Sequence, residues 1–474
     1  MGGDIVSRRA VLALAASAAA GAGLAACGGA STATDPQIRF RSRPDLRPPV
    51  VTVNGPHGPT GGGYNLITPA GPLIVDDAGQ PVWYRPVKEA ATNLKMQRYR
   101  GQPVLSWWEG AITKYGTGKG RCHVYDTAYR PVAHIGTVNG LDPDLHELVI
   151  ADDGTAYVTA YRKVPADLRA VGGPRAGTML DSVVLGVDLA TGAVVFEWHS
   201  AAHIAPSETY TKYSADHPFD PVHLNSVAFT ADGQLLLSAR NTWALYKIER
   251  TSGRILWRLG GKRSDFALGK GARFAWQHDA RPQPDGTISL FDDEAKPKEA
   301  AQSRGLVLRV DEAARTASVR AAYRHPRRGL LAGSQGSVQL LQNGDVFVGW
   351  GADPYFTQYH ADGAVVLDAH IEKGTSYRAT RALWHATAPG RPALAVQRDG
   401  GASVACYVSW NGATDVAAWR IVGGRSEASL AALHVAPRDG FETRTVVPTP
   451  PAVVAAQALD AHGNVLAISA PAHT

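Results

Sequence analysis

Six times along the chain, a turn rich in Asp, Ser or Thr with Gly is followed by a short run of β-branched or aromatic residues. The clearest copy is Asp76-Asp77-Ala78-Gly79-Gln80-Pro81-Val82-Trp83-Tyr84. The others span residues 126–135, 188–198, 250–257, 311–323 and 360–368, of which the first and fourth are degraded. Such a unit is the outer hairpin of one small sheet and cannot bury its apolar faces alone. A second unit, a polar residue before two alternating strands joined at a Gly turn, precedes four of these copies. It spans residues 146–159, 223–239, 278–291 and 336–350. Two hairpins per unit predict four-stranded antiparallel sheets, and six of them arranged radially predict an all-β, six-bladed β-propeller over residues 63–389. An array of β-sandwiches is the rival arrangement, because the repeats are unevenly spaced. From residue 390 the rhythm changes. Strands at 403–409, 416–422, 443–447 and 453–469 predict a C-terminal β-sandwich of immunoglobulin or fibronectin type III size over 390–474, with Trp410 or Trp419 as core aromatic.

The 474 residues carry a formal charge of +6 without basic runs, so no polyanion-binding face is expected and nucleic acid is excluded as partner. Three cysteines exclude a disulfide-built scaffold and a four-thiolate zinc site. Cys122 and Cys406 leave one candidate disulfide pair. The third, Cys27, belongs to an address: Ser7-Arg8-Arg9-Ala10-Val11-Leu12 has the twin-arginine form, residues 11–20 are apolar, and Leu24-Ala25-Ala26-Cys27 has the form of a lipobox. The apolar run is too short and too rich in Ala and Gly for a comfortable membrane span. Residues 1–27 are thus expected to be a twin-arginine export signal with Cys27 as the lipidated residue. The mature protein would be extracytoplasmic and tethered to the cell membrane, with 28–62 as tether and N-terminal segment.

Chemistry is expected at one end of the inner strands. Three of them begin with histidine: Asp144-Leu145-His146-Glu147, Val222-His223-Leu224-Asn225-Ser226 and Gln277-His278-Asp279. In a propeller, equivalent positions on successive blades face one another across the channel mouth. Zinc is disfavoured there, because no short-range His pair is present and Arg240, at the end of Leu237-Ser238-Ala239-Arg240-Asn241, returns to the same rim. A guanidinium among imidazoles favours an anion. Gly116-Thr117-Gly118-Lys119-Gly120 lacks P-loop spacing, and Gly333-Ser334-Gln335-Gly336 is no nucleophile elbow. Trp107, Trp108, Trp243 and Trp276 are expected mainly in blade packing, with one or two lining a channel.

Several segments together resemble the aryl-sulfate sulfotransferases, in their shorter actinobacterial and fungal-type branch. They are Phe40-Arg41-Ser42-Arg43-Pro44-Asp45, Asp144-Leu145-His146-Glu147, His223-Leu224-Asn225-Ser226 and Ser238-Ala239-Arg240-Asn241. Further along come Trp276-Gln277-His278-Asp279, Ser303-Arg304-Gly305, Gly336-Ser337-Val338-Gln339 and Tyr407-Val408-Ser409-Trp410-Asn411-Gly412. The resemblance implies a six-bladed propeller that moves a sulfuryl group from an aryl sulfate ester to a phenolic acceptor, with no nucleotide donor and no cofactor. It places catalysis on His146, His223, His278 and Arg240, and substrate binding on Asn225, Arg304 and Trp276. Sulfuryl transfer resembles phosphoryl transfer, with charge spread over three oxygens and attacking and leaving groups in line. Arg240, His146 and His223 would stabilise that charge, and His278 would attack sulfur to give a sulfohistidine in a ping-pong cycle. One departure stands out: Phe291-Asp292-Asp293-Glu294 replaces the Phe-Asp-Asn-Gly of many relatives, a change expected to bear on the acceptor side. The reading from a different class is a non-catalytic cell-surface propeller that binds an anionic or aromatic ligand.

Overall fold

A computed structural model describes residues 36–295 and 297–474. Arg8, Arg9 and Cys27 therefore lie outside the described residues. The fold is nearly all-β, with 47% of residues in strands and 4% in helices. No helix among the described residues is long and apolar enough to cross a membrane.

Residues 51–382 form six antiparallel sheets. From inner to outer edge, sheet 1 runs Thr380–Ala382, Tyr64–Ile67, Leu73–Val75, Pro81–Tyr84, and sheet 2 runs Ala90–Tyr99, Gln102–Ile112, Gly118–Tyr125, Pro131–Ile135. Sheet 3 comprises Leu148–Ile150, Thr155–Ala166, Gly177–Asp188 and Val194–His199; sheet 4 comprises Leu224–Phe229, Leu235–Ala239, Ala244–Ile248 and Ile255–Gly260. Sheet 5 is built from His278–Pro282, Thr287–Asp292, Arg304–Asp311 and Thr316–Tyr323, with Ala267–Leu268 added in parallel at its outer edge. Sheet 6 is built from Ser337–Leu340, Val346–Gly349, Tyr355–Tyr359 and Val365–Ile371, with Val51–Asn54 as a fifth, outermost strand. The inner strands touch in cyclic order, the sixth meeting the first.

Burial explains the composition of these strands. One apolar cluster lies between each pair of neighbouring sheets, so every sheet is covered on both faces. Leu235 and Leu237 pack toward sheet 3 while Leu236 between them packs toward sheet 5. Leu73 and Val75 likewise face sheet 6 while Ile74 faces sheet 2. A strand buried on both faces reads as a continuous apolar run, which is why alternation is weak in the inner hairpins. All six expected outer hairpins form. Asp76 and Asp126 seed two of their turns by accepting backbone N–H bonds from residues two and four positions on. Each outer hairpin carries one register shift, such as Ile74/Val75 or Gln358/Tyr359, which adds local twist.

Two expectations are corrected. Residues 36–62 are not a loose tether: Val51–Asn54 pairs with Val365–Ile371, the Phe40 and Phe441 rings lie 4.3 Å apart, and Ser42 N–H donates to Glu442 Oε2 at 2.6 Å. Cys122 and Cys406 are free thiols held in separate cores, the first between sheets 2 and 3 and the second in the C-terminal unit. Burial raises the pKa of both thiols. That unit has two further sheets, one of Ala393–Arg398, Val404–Ser409 and Glu442–Val447, the other centred on Ala418–Gly424 and Val453–Leu459. Both line one core that contains Trp410 and Trp419.

Candidate active site

The three histidines occupy the same end of the inner strands of sheets 3, 4 and 5. His146 lies just before Leu148–Ile150, His223 immediately precedes Leu224–Phe229, and His278 opens its strand. Bulges between Leu224 and Ser226 and between His278 and Arg281 break the ladder here and redirect side chains. Backbone strain gathers at the same place. Asn93, His223, Trp243, Trp276, Asp279, Glu294 and Gln335 all have φ between 52° and 71°, a region that costs a non-glycine residue about 1 kcal/mol or more.

Each imidazole is oriented by a carboxylate on Nδ1. Asp144 holds His146 at very short range, Asp220 Oδ2 holds His223 at 2.6 Å, and Asp293 Oδ2 holds His278 at 2.8 Å. With Nδ1 engaged, Nε2 is the nitrogen that each ring has left for another partner. The rings of His146 and His223 are perpendicular, with centroids 4.8 Å apart. At His278, the Gln335 backbone N–H donates to Nε2 at 3.2 Å. A backbone N–H can only donate, so Nε2 carries the lone pair and the neutral ring keeps its proton on Nδ1, donated to Asp293. Burial, then Arg240, His146 and His223, push the His278 pKa well below the usual histidine value. Burial also lowers His146, against the pull of Asp144.

Arg240 ends Leu235–Ala239 and donates its backbone N–H to the His223 carbonyl at 2.9 Å. Its guanidinium donates to Asn241 Oδ1 at 2.9 Å and lies 4.8 Å from the centroid of Trp276. Trp276 is itself fixed, its indole N–H donating to the Pro297 carbonyl at 3.0 Å. The structure thus brings His146, His223, His278, Arg240 and Trp276 together. Asn225 and Arg304 stand behind them. Asn225 donates its amide to the Gln277 carbonyl at 2.7 Å, and Arg304 donates to Asp292 at 2.9 Å and to the carbonyls of Gly271 and Arg273.

Two features escape the sequence reading. The three orienting carboxylates sit at offsets of −2, −3 and +15 from their histidines, with no common spacing; Asp144-Leu145-His146 and Asp220-Pro221-Val222-His223 were visible, Asp293 was not. Asp293, which belongs to the departure at Phe291-Asp292-Asp293-Glu294, is the partner of His278. The second feature is Tyr377. It is buried, its ring lies 5.6 Å from His146 and 6.2 Å from His278, and its hydroxyl has no partner among the described residues. Burial raises its pKa, so the hydroxyl stays a donor.

Carboxylate-oriented imidazoles converging beside a guanidinium, on an all-β frame, are the equipment of an enzyme that handles an anionic group. The family model that matches is that of the arylsulfotransferases (ASST), over residues 95–372, more than half of the chain. The chain belongs to this family. Membership supports a sulfotransferase in general, with aryl sulfate donors and phenolic acceptors as the substrate class. No curated protein matches the chain. Among solved structures, it is similar to a protein of unknown function from Bacteroides caccae, 13% identical, with a TM-score of 0.39 over 67% of this chain and 97% of that one. It is also similar to virginiamycin B lyase from Staphylococcus aureus, 10% identical, with a TM-score of 0.32 over 76% of this chain and 96% of that one. Likenesses this weak say nothing of activity.

Proposed function

We propose that the six sheets are the blades of a β-propeller closed by residues 51–54 and 380–382, that the C-terminal unit is a β-sandwich, and that the site is an aryl-sulfate sulfotransferase centre working by a ping-pong route. The observation that carries the mechanism is the neutral His278 ring: its Nδ1 proton is held by Asp293 Oδ2 at 2.8 Å, and its one lone pair, on Nε2, is met in the resting site by the Gln335 N–H at 3.2 Å, a long contact that is given up when sulfur is attacked. In the first half-reaction Nε2 forms a bond to sulfur while the S–O bond to the aryl group breaks, its electron pair leaving as phenolate. His223 is the proton source for that phenolate. Arg240 and the Tyr377 hydroxyl stabilise the sulfuryl oxygens as charge develops on them, and His146 joins them when its ring carries a proton on both nitrogens. In the second half-reaction a phenol oxygen attacks sulfur, His223 takes its proton, and the N–S bond breaks. Asn225, Arg304 and Trp276 hold these groups in place.

Intact-protein mass spectrometry after mixing with p-nitrophenyl sulfate and no acceptor tests this. Wild type is expected to gain the mass of SO₃ on the peptide containing His278, and His278→Ala is expected to gain nothing. An adduct elsewhere, or transfer by the variant, defeats the assignment of the nucleophile. No phenol released with any phenolic acceptor defeats the enzymatic reading.

The export signal is proposed on Arg8, Arg9 and Cys27. Arg8→Lys with Arg9→Lys is expected to leave precursor in the cytoplasm, and Cys27→Ser to abolish lipid labelling with activity retained. Unchanged membrane fractionation of the Cys27 variant would sink the anchor.

A further inference from the structure

A cavity of about 410 Å³ lies where the N-terminal segment, the outer strands of sheets 1 and 2 and the C-terminal unit meet. That size is within the range of about 300–1,000 Å³ typical of small-molecule sites. It shares no lining residue with the histidine cluster, which occupies the opposite, inner edge of the sheets. The aromatic part of its wall is Trp83, Tyr84, Tyr125, Tyr129 and Trp410, and the cationic part is Arg43, Arg85 and Arg391.

The charges are unevenly paired. Arg43 is taken by Asp45 at 2.7 Å. Among the described residues Arg85 has no carboxylate: its guanidinium lies 5.4 Å from the Tyr125 ring centroid and 5.8 Å from that of Trp107, and its buried Nε has no acceptor there. Glu109 faces His123 instead, at 3.6 Å. Arg391 is exposed at the rim. The walls are rigid, because Asn411 clamps Tyr84 across the junction, accepting its N–H at 2.9 Å and donating to its carbonyl at 3.0 Å. An orphaned guanidinium nitrogen against aromatic faces is satisfied by an anion, and the aromatic wall by a flat apolar body.

We propose that this cavity is a second ligand site, separate from the histidine cluster, that takes an aromatic anion of the aryl sulfate or aryl sulfonate class. Arg85 and Arg391 receive the anionic group, and the ring lies against Trp410 and the edge of Trp83, whose face is stacked on Tyr129. The inference stands on the lining of the cavity and does not depend on the chemistry proposed for His278.

The test is calorimetric titration of the full chain with naphthalene-2-sulfonate, whose C–S bond is not a sulfate ester and offers no phenolate leaving group. The Arg240→Ala background isolates this site from the histidine cluster. Saturable 1:1 binding is expected there, weakened at least about tenfold by Arg85→Gln and several-fold by Arg391→Glu, the latter at an exposed position where folding is not at risk. Cyclohexanesulfonate is expected to bind at least about tenfold more weakly, for want of an aromatic face. Absence of binding in the Arg240→Ala background overturns the proposal. So does binding that Arg391→Glu and Arg85→Gln leave unchanged, and so does equal affinity for the cyclohexyl compound.

Discussion

A single proton decides whether His278 can act. Its ring is held neutral because burial and four cationic or potentially cationic neighbours (Arg240, His146, His223 and Arg378) oppose protonation. The acid limb of the kcat/KM profile is therefore expected below the ordinary histidine value of about 6.5, and activity is expected to fall as pH drops through the lowered pKa. The same shift ties stability to pH. The unfolded chain takes up this proton first, so the contribution of a buried neutral His278 is present above about 6.5 and is lost as pH falls through the lowered folded value. Asp293→Asn tests the carboxylate. Burial raises the Asp293 pKa, against the pull of Arg240, so its charge is called on when the ring becomes cationic with sulfuryl; an amide still accepts from Nδ1–H but cannot supply that charge, and kcat/KM is expected to fall by a factor equivalent to about 1.5–3 kcal/mol, the scale of a hydrogen bond to a charged group. The acid limb is expected to move lower still; a profile and rate like those of wild type would show that the pair is only structural. At this scale the histidines and Arg240 were legible because each adjoins a recognisable hairpin. Tyr377 was not, since it lies in the irregular stretch before Thr380–Ala382, where no periodicity points to it.

Among elements, legibility followed turn chemistry. All six outer hairpins and the inner hairpins of sheets 3 to 6 were readable, because Asp-Gly, Asn-Gly, Thr-Gly and Ser-Gly mark most of their turns. The inner hairpin of sheet 2 was missed: it reverses at Arg100-Gly101, with Arg100 at φ 52°, a turn without an Asp or Asn to announce it. The inner strand of sheet 1 was missed because its partner is more than 300 residues away, and local patterns carry no information about that pairing. One close approach between elements bears directly on the site. A Cβ on Gly336 would meet the Phe291 ring at 2.4 Å, and Phe291 is the cross-strand partner of His278. Gly336→Ala is expected to cost about 1–3 kcal/mol by overpacking and to lower kcat with it, since Gln335 and Asp293 both move with this contact. Gly363→Ala, at φ 91° with open space around it, is expected to lower the melting temperature and leave kcat unchanged. Equal kinetic effects in the two variants would rule out the positional account.

On the scale of the whole molecule, the sheets are joined at their centre by charge as well as by apolar packing. Glu147 of the segment leading into sheet 3 accepts from Lys95 of sheet 2 and from Arg281 of sheet 5, each at 2.5 Å, and pairs with Arg378, beside sheet 1, at 3.3 Å. Arg378 in turn donates to the Asn225 carbonyl of sheet 4 at 2.8 Å. The cations hold the Glu147 carboxyl far below the usual range, and the Lys95 ammonium, buried beside two arginines, is lowered to about 8. Glu147→Gln leaves Lys95 without its counter-charge and leaves Arg281 and Arg378 to share Asp279, at 2.6 and 2.9 Å, and is expected to cost about 3–5 kcal/mol, read as a fall in melting temperature. A melt within about a degree of wild type would show that water or Asp279 replaces the carboxylate. A different consequence follows from the two strands that shut the ring. Val51–Asn54 is made early and must wait for Val365–Ile371, and Tyr64–Ile67 must wait for Thr380–Ala382. The two seams therefore close in order, the first once residue 371 is available and the second only with residue 382. A chain that ends at residue 371 keeps Tyr64–Ile67 as an open edge, and concentration-dependent association is expected of it where the full chain shows none.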